Sequence, residues 1–230
     1  MFVCGRNVVR ELLRNNTKIY KVFTYNNFND SELIEMLKNN NVPIKYIEKY
    51  KLDKMLDNNQ GLIADIDDYK YCTLDEIMTD NPFFVMLDHI TDPHNFGAII
   101  RTCEAAGVDA IIIPKDRSVE INATVMKTSV GTLDNMKICM VNNLNDTIKK
   151  LKKNGVWIVG TDMEGTNYHD IDAKLPLCLI IGNEGDGISR LVSSNCDYMA
   201  SIPMKGQVNS LNASVAAGII IFEISTKRGL

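Results

Sequence analysis

The chain of 230 residues lacks several features that would assign it to particular classes of protein. None of its six cysteines has the C-x-x-C spacing of zinc and redox sites, so we interpret them as reduced thiols, several of them buried. The three histidines, His89, His94 and His169, are too few and too scattered to predict a metal site. No apolar run approaches the roughly 20 residues of a membrane-spanning helix, and charges interrupt the amphipathic N-terminus. We therefore expect a soluble, cytoplasmic protein that needs no metal.

A strong net charge is also missing, since the formal value is −4 at pH 7. This value alone does not indicate a nucleic-acid-binding protein. Residues 1–60 carry ten Lys and Arg against seven Asp and Glu, whereas residues 61–80 carry one against six. The acidic segment suggests a domain boundary. The modest basic excess before it fits a solvated face about as well as an RNA-binding surface.

Hydrophobic patterning predicts a small α/β domain over residues 1–66, a linker over 67–82 and a larger domain over 83–230. In the small domain, Asp30-Ser31 can cap a helix that runs through Leu37. In the larger domain, strand-like runs alternate with helical patterns, which favours an α/β fold with a parallel sheet covered on both faces. The predicted strands are 83–87, 110–113, 137–141, 157–160, 177–181 and 199–202, and the predicted helices are 97–106, 123–129, 144–153, 188–192 and 213–225. The last helix begins apolar nearly all round, so we expect it to be buried or to lie at a subunit interface.

Polar residues that could carry chemistry first gather between residues 87 and 107. A predicted strand ends at Asp88, and Asn95 stands just before an amphipathic helix, where asparagine commonly acts as an N-cap. Arg101 lies among apolar residues of that helix, so its guanidinium needs either an ion-pair partner or a ligand. Taken alone, this cluster favours a structural ion pair.

Two further clusters follow predicted strands near the C-terminus. Residues 182–187 read G-N-E-G-D-G, and their glycines fit a tight turn and a ligand-binding loop equally well, with Glu184 able to contact a ligand. Residues 202–212 end in S-L-N, so Ser210 and Asn212 point the same way on an extended backbone. Taken alone, Asn212 is best interpreted as the N-cap of the final helix. Open α/β sheets bind ligands at such carboxyl ends of strands.

The three clusters together, N-x-G-x-x-x-R, G-x-E-G and S-L-N, resemble the motifs of the SpoU (TrmH-type) RNA ribose 2′-O-methyltransferases. Their order and spacing match, and the resemblance covers residues 83–226. HITDPHNFGAIIR, PKDRS at 114–118 and N-A-T at 122–124 are similar to the bacterial branch that methylates a guanosine of 23S ribosomal RNA. Residues 1–66 are similar to the L30e/L7Ae-like substrate-binding domain of that branch, although its usual H-Q-G reads Asn59-Gln60-Gly61 here.

The resemblance implies a SPOUT-type parallel sheet whose C-terminal segments form a trefoil knot, although knots are rare in proteins. It also implies a homodimer packed through the knot region, with S-adenosyl-L-methionine bound in the knot. By motif position, the cofactor contacts would come from Thr161, Gly182, Ile202 and Leu211.

The implied reaction is transfer of a methyl group from a sulfonium to a ribose 2′-hydroxyl. Arg101 matches the proposed activating residue of the family, and it would either accept the proton or position an RNA phosphate. Asn95 would orient Arg101 or the ribose. Glu184, Ser210 and Asn212 would hold the RNA and the loops in place.

Three alternatives remain beside a 23S ribosomal RNA enzyme. One is a ribosome-assembly factor that binds RNA but has lost catalysis; the filled motif positions argue against it. Another is a nucleotide-dependent α/β enzyme, which the sequence disfavours because it has no phosphate-binding fingerprint. The third is a tRNA ribose methyltransferase of the same superfamily, which the N-terminal domain disfavours.

Overall fold

A computed structural model describes residues 1–129, 131–206 and 210–229. Gln207, Val208 and Asn209, which belong to the third sequence cluster, lie outside the described residues. The chain divides into two compact units. The first unit comprises Met1–Lys70 with Ile121–Asp134, and the second comprises Tyr71–Glu120 with Asn135–Leu230.

Helices and strands alternate along most of the chain. In chain order they are β1 (Phe2–Cys4), α1 (Arg6–Arg14), β2 (Ile19–Thr24), α2 (Ser31–Asn39), β3 (Ile44–Tyr46), α3 (Lys49–Met55), β4 (Leu62–Ile66), α4 (Leu74–Ile77), β5 (Phe83–Asp88), α5 (Pro93–Ala105), β6 (Ala110–Pro114), α6 (Ala123–Thr128), β7 (Ile138–Val141), α7 (Leu144–Lys153), β8 (Trp157–Asn167), β9 (Leu177–Gly182), α8 (Arg190–Ser193), β10 (Tyr198–Ser201) and α9 (Ala213–Arg228). Short 3₁₀ helices lie at Thr132–Asn135 and Tyr168–Asp170.

The first unit is built on a mixed sheet with the strand order β1-β4-β2-β3. Strand β4 is antiparallel to β1 and β2, whereas β2 and β3 are parallel. The predicted start of α2 is confirmed, because the Asp30 side chain caps it by accepting a hydrogen bond from the Leu33 backbone N–H at 3.1 Å. Strand β1 was not predicted, since three residues are too few to show a period of two.

The second unit contains a parallel sheet with the strand order β10-β8-β9-β5-β6-β7. All six residues of the central strand β5 are buried, as expected for a strand covered on both faces. The predicted parallel α/β class is therefore confirmed. Helix α7 also has the predicted bounds, whereas β8 continues well beyond residue 160 to Asn167.

The segment expected to be a linker, 67–82, contains ordered structure. Thr73 and Glu76 form a capping box at the start of α4, and Ile77 is buried in the hydrophobic core of the second unit. Conversely, residues 121–134 of the predicted larger domain cluster with the first unit. The domain boundaries at 66 and 83 remain predictions.

Helix α9 has both the buried and the exposed apolar residues that its composition suggested. Ile220, Ile221 and Ile224 are buried, whereas Val215 and Phe222 are exposed. Within the described part of the chain, no helix is both long enough and apolar enough to cross a membrane.

Candidate active site

The candidate site lies where β5 and β9 end side by side. Asp88 is paired with Gly182 in the sheet, and the loop after Gly182 folds back on itself through two backbone hydrogen bonds between Asn183 and Gly187, 3.0 and 2.9 Å long. A Cβ at position 182 would lie 2.3 Å from the carbonyl carbon of Gly187. Because backbone atoms cannot move aside as a side chain can, only glycine fits at position 182.

A polar cluster that the sequence did not predict supports this loop. The buried carboxylate of Asp88 accepts a hydrogen bond from the Ser189 backbone N–H at 2.6 Å and also contacts Nδ1 of His89. His89 has a φ of 60°, which is uncommon for a residue with a side chain. Its carbonyl oxygen accepts a hydrogen bond from Nδ2 of Asn183 at 3.1 Å. The sequence signal was the aspartate at the end of a buried strand, where a carboxylate needs a partner.

Three of the predicted site residues form one hydrogen-bonded network. Asn95 donates from Nδ2 to Oε1 of Glu184 at 2.5 Å, and Asn212 donates from Nδ2 to the same oxygen at 2.6 Å. Asn212 Nδ2 also lies 3.0 Å from Oδ1 of Asn95. The three motifs therefore meet at one point, although they are far apart in sequence.

The interpretation of Asn95 as a helix N-cap is wrong. Helix α5 begins two residues earlier, at Pro93, and its cap is Asp92, whose side chain accepts a hydrogen bond from the His94 backbone N–H at 3.0 Å. Proline suits the first position of a helix because it has no N–H to leave unpaired. The Asn95 side chain is thus available for Glu184, and it is buried.

The interpretation of Asn212 as an N-cap is confirmed. Its Oδ1 accepts hydrogen bonds from the backbone N–H groups of Ser214 and Val215, at 2.9 and 3.3 Å. Helices α5 and α9 pack together, with Asn95 bonded to Asn212 near their first turns and Ala106 accepting a hydrogen bond from Ser225 near their ends. The helices therefore run in the same direction. The Glu184 carboxylate lies beside two helix N-termini, where a negative charge is stabilised.

A cavity of about 410 Å³ lies beside this network. Its lining includes all four residues expected to contact a cofactor, Thr161, Gly182, Ile202 and Leu211, together with Glu184, Ser210, Asp162, Asp186, Asn183, Gly185, Gly187, Met163, Met204, Ile181, Ala200, Ala213, Ala216 and Ile220. The lining thus combines polar groups with apolar side chains. Such a mixture is typical of sites that enclose a small organic molecule.

An irregularity in β8 shapes one wall of the cavity. Gly160 pairs with Met199 of β10, but the next residue of β10, Ala200, pairs with Thr166. Residues 161–165 therefore have no register partner on β10, and Thr161 and Met163 face the cavity. The Thr161 hydroxyl donates to the carbonyl oxygen of Ile180 at 3.0 Å, which ties the irregular segment to β9. The sequence did not reveal Met163, Met204 or Ile220, because single apolar residues inside a strand, a helix or a loop resemble ordinary core residues.

Arg101 differs from the other predicted residues. Its side chain is exposed on α5, six residues after Asn95, and it neither lines the cavity nor joins the Asn95–Glu184–Asn212 network. Among residues 1–129, 131–206 and 210–229, none forms an ion pair or a hydrogen bond with Arg101. The expectation of a structural ion pair is therefore wrong for the described part of the chain. The guanidinium is therefore available for a ligand.

Burial makes four cysteines of the second unit poorly reactive, namely Cys103, Cys139, Cys178 and Cys196. Burial raises the pKa of the Cys196 thiol to about 11, and burial also raises the pKa of Cys178 well above its ordinary value. The reactive species of cysteine is the thiolate, which is scarce at neutral pH when the pKa is raised. All six cysteines are free, as the sequence predicted. The described residues contain no group of three or more His, Cys, Asp or Glu side chains placed to hold a metal ion.

Comparisons with known protein families match both halves of the chain. Residues 82–222 match the SpoU rRNA Methylase family, and residues 2–72 match the family described as RNA 2′-O ribose methyltransferase substrate binding. The chain is 39% identical to YacO of Bacillus subtilis, whose name places it in the TrmH family of tRNA/rRNA methyltransferases. That similarity covers 99% of this chain and 96% of YacO.

Solved structures share the fold over nearly the whole chain. An rRNA methyltransferase from Sinorhizobium meliloti, solved with bound AdoMet, is 26% identical, with a TM-score of 0.80, covering 100% of this chain and 87% of that one. The SpoU methyltransferase AviRb from Streptomyces viridochromogenes, solved in complex with AdoMet, has a TM-score of 0.83 at 24% identity, covering 99% of this chain and 90% of that one. The latter similarity shows the fold alone.

Proposed function

The chain belongs to the SpoU rRNA methylase family, and from that premise we propose that it methylates the ribose 2′-hydroxyl of a guanosine in 23S ribosomal RNA. It is an RNA methyltransferase, and its cofactor is S-adenosyl-L-methionine. The observation that carries the proposal is the placement of Thr161, Gly182, Ile202 and Leu211 around one cavity.

The residues around the cavity fit this cofactor. The 182–187 loop packs its own backbone against Gly182 and lines the cavity, and backbone N–H and C=O groups at strand ends can bind an adenosine or an amino-acid group. Met163, Met204 and Ile220 offer apolar surface for the ring system. When bound, the cofactor supplies the electrophilic methyl group. We propose that the surrounding segments form the trefoil knot that is characteristic of the family.

The protein's own part in the reaction is positioning and proton removal. The ribose oxygen must be held close to the methyl carbon and in line with the bond that breaks. We assign this holding to Glu184, Ser210 and Asn212. Asn95 keeps Glu184 in place through its 2.5 Å hydrogen bond, and the capping bonds of Asn212 fix that side chain at the first turn of α9.

Arg101 is the proposed activating residue. An arginine is a poor general base because its ordinary pKa lies above about 12, so two roles stay open. In the first role, the guanidinium beside an RNA phosphate releases one proton to solvent and then accepts the proton of the 2′-hydroxyl. In the second role, it positions that phosphate while another group takes the proton. Its exposure and lack of a partner among the described residues support contact with a large substrate such as RNA.

We further propose that the protein acts in the cytoplasm as a homodimer packed through the knot region. Val215 and Phe222 support this, because both are apolar, exposed and on α9. Sedimentation of the purified protein tests the dimer. A monomer at micromolar concentration would contradict this part of the proposal.

The decisive experiment is methyl transfer to defined RNA. Purified protein is incubated with radiolabelled S-adenosyl-L-methionine and unmodified transcripts of either 23S ribosomal RNA or tRNA, and labelled nucleosides are then identified. We expect 2′-O-methylguanosine in the 23S transcript. Ribose methylation in 23S ribosomal RNA from cells with and without the protein, mapped by alkaline hydrolysis, locates the nucleotide.

A tRNA substrate is the second candidate, since the printed name of YacO includes both tRNA and rRNA. Methylation of tRNA transcripts without methylation of 23S transcripts would replace the leading proposal by this one. A protein that transfers no methyl group to either RNA would instead favour the assembly-factor alternative. Calorimetric titration with S-adenosyl-L-methionine accompanies the assay, because an inactive factor need not bind the cofactor.

A further inference from the structure

The first unit contains a second cavity, of about 440 Å³, whose lining is rich in aromatic rings. Tyr25 follows β2, Tyr46 ends β3, and Phe28 lies in the loop before α2. The remaining lining residues are Asn26, Ser31, Ile34, Glu35 and Lys38. We call this site the aromatic cavity. All of its residues belong to the first unit.

The Asn59-Gln60-Gly61 turn lies against two rings of the aromatic cavity. Gly61 has a φ of +81°, and a Cβ there would lie 2.7 Å from Cε1 of Tyr25 and 3.0 Å from Cδ2 of Phe28. The two rings therefore occupy space that only glycine leaves open. Asn59 holds the turn, because its Oδ1 accepts a hydrogen bond from the Gly61 N–H at 2.8 Å. These three residues form a sequence motif that takes no part in the methyl-transfer site.

Packing within the unit explains two of the three rings but not the third. Tyr25 and Phe28 contact each other edge to face, with ring centroids 6.1 Å apart. Tyr46 is 48% exposed, and its side chain has no hydrogen bond or ring contact with any residue in the described ranges. An exposed tyrosine in a cavity wall, with no structural task, offers a flat face for a ligand to stack on.

Cations surround these rings. The Arg6 guanidinium lies 4.8 Å from the centroid of the Phe28 ring, and Lys49 Nζ lies 5.9 Å from that of Tyr25. Lys38 is an exposed member of the lining. Among the described residues that line the cavity, Glu35 is the acidic one. Asp30 lies outside the lining and already accepts two 2.9 Å hydrogen bonds from Arg10.

We propose that the aromatic cavity holds one unpaired base of the RNA substrate, stacked on Tyr46, with Lys38 and Lys49 beside its phosphates. Single-stranded RNA is recognised in this way, by stacking of splayed bases on aromatic side chains and by basic residues along the backbone. The inference rests on the proposed function for its RNA occupant. The inference goes beyond that function in two respects. It names the part of the first unit that binds RNA, and it states that the bound base is unpaired.

The test compares a single-stranded and a double-stranded probe. Fluorescein-labelled RNA of twelve nucleotides, alone or paired with its complement, is titrated at fixed salt and followed by fluorescence anisotropy. Removing a stacked aromatic residue costs about 1–3 kcal/mol per base, so we expect Tyr46→Ala to weaken single-strand binding about 5- to 150-fold. Duplex binding should change by less than about 2-fold, since paired bases cannot enter the cavity.

Two variants control for loss of the hydroxyl group, for folding and for surface area. Tyr46→Phe keeps the ring, so it should bind the single strand within about 2-fold of the unmodified protein. Tyr20→Ala removes a tyrosine of similar exposure, 44% against 48%, that does not line the aromatic cavity, and it should also be neutral. All three variants should bind S-adenosyl-L-methionine as the unmodified protein does.

The outcomes separate this inference from the proposed function. If Tyr46→Ala binds the single strand as well as the unmodified protein does, or if Tyr20→Ala loses as much, the inference is overturned while methyl transfer stands. Failure of the unmodified protein to bind the single strand also overturns it. If the protein methylates no RNA but single-strand binding still depends on the Tyr46 ring, the proposed function fails and the aromatic cavity stands.

Discussion

The cofactor cavity and the aromatic cavity are built in opposite ways. Around the cavity of the second unit, polar side chains are already bonded to each other, as in the Asn95–Glu184–Asn212 network. In the aromatic cavity of the first unit, Tyr46 and Lys38 are exposed at the rim. A fully bonded polar network holds one geometry, which suits a cofactor of fixed shape. Exposed rings and cations accept many sequences, which suits initial capture of RNA.

Both cavities depend on a glycine, but for different reasons. At Gly182 the obstacle to a side chain is the backbone of Gly187, whereas at Gly61 it is the edges of two aromatic rings. A ring can shift by a few tenths of an ångström, and a hydrogen-bonded loop cannot do so without breaking. The second unit should therefore tolerate less change at its cavity than the first unit.

The largest expected effect is a loss of methyl transfer while both cavities remain intact. We expect Arg101→Ala to lower the rate of methyl transfer by about 10²- to 10⁴-fold, the range for loss of a group that acts in proton transfer. Binding of S-adenosyl-L-methionine should persist, and binding of single-stranded RNA should still depend on Tyr46, because Arg101 lines neither cavity. Single-turnover kinetics with labelled cofactor measures the rate. Arg190→Ala, another exposed arginine of the second unit, is the control, and a normal rate in Arg101→Ala would refute the assignment.

The next largest effect is expected from a charge placed in the Asn95–Glu184–Asn212 network. Asn95→Asp places a carboxylate where Nδ2 now lies 2.5 Å from Oε1 of Glu184. The charges repel and a donor is lost, so we expect a loss of about 3 kcal/mol in the free energy of unfolding near pH 8. Repulsion raises the pKa of the new acid above its unfolded value, so the loss should disappear as the pH falls below about 4. Urea unfolding at several pH values measures it.

Restoring neutrality provides the control for that experiment. The double variant Asn95→Asp with Glu184→Gln keeps a hydrogen-bonding pair without two negative charges. It should regain most of the lost stability at pH 8. Equal stability of Asn95→Asp and the unmodified protein at pH 8 would show that Glu184 is not held by Asn95.

Gly182→Ala should weaken cofactor binding without affecting RNA capture. The added methyl group would lie 2.3 Å from the Gly187 backbone, so the hydrogen-bonded 182–187 loop has to move out of the geometry that would hold the cofactor. We expect the dissociation constant to rise about 5- to 150-fold, which corresponds to about 1–3 kcal/mol. Gly185→Ala in the same loop is a matched control, since its Cβ would meet only Oδ1 of Asn183 at 3.6 Å. Calorimetry with S-adenosyl-L-methionine compares them. Equal affinities would argue against a cofactor in this cavity.

Gly61→Ala should have a smaller effect, confined to the first unit. We expect a loss of about 1–2 kcal/mol in the free energy of unfolding from the positive φ and from displacement of the Tyr25 ring. Gly155→Ala shares the positive φ, +79°, but meets nothing within 4 Å, so it isolates the strain of the backbone. If both variants lose the same stability in urea unfolding, the rings do not press on Gly61.

The smallest effect concerns the thiols. Burial raises the pKa of Cys103 and of Cys178 far above the ordinary value, and that of Cys139 to about 11, so little thiolate exists at pH 7.5. Treatment of the folded protein with iodoacetamide should leave Cys103 and Cys178 unmodified and leave ligand binding at both cavities unchanged. Mass spectrometry measures the modification, and unfolding in guanidinium should expose all six. Rapid modification of Cys103 in the folded protein would contradict its burial.

Much of the fold was predictable because its signals are local. The alternation of apolar runs with helical patterns predicted the parallel sheet, and Asp30-Ser31 predicted the start of α2. Errors occurred where local signals compete or are too short. Asn95 looked like a cap, but Asp92-Pro93 is the stronger start signal, and the three residues of β1 were missed.

The sequence by itself determined the family, the α/β class and the residue types that its motifs bring to the site. Only the tertiary structure decided that Asn95 bonds Glu184, 89 residues away, and Asn212, 117 residues away, while Arg101 on the same helix stays exposed. It also decided that Gly61 makes room for two rings. The physical reason is that propensity and periodicity act between chain neighbours. Contacts across the sheet, by contrast, depend on strand order and helix direction, which local patterns do not encode.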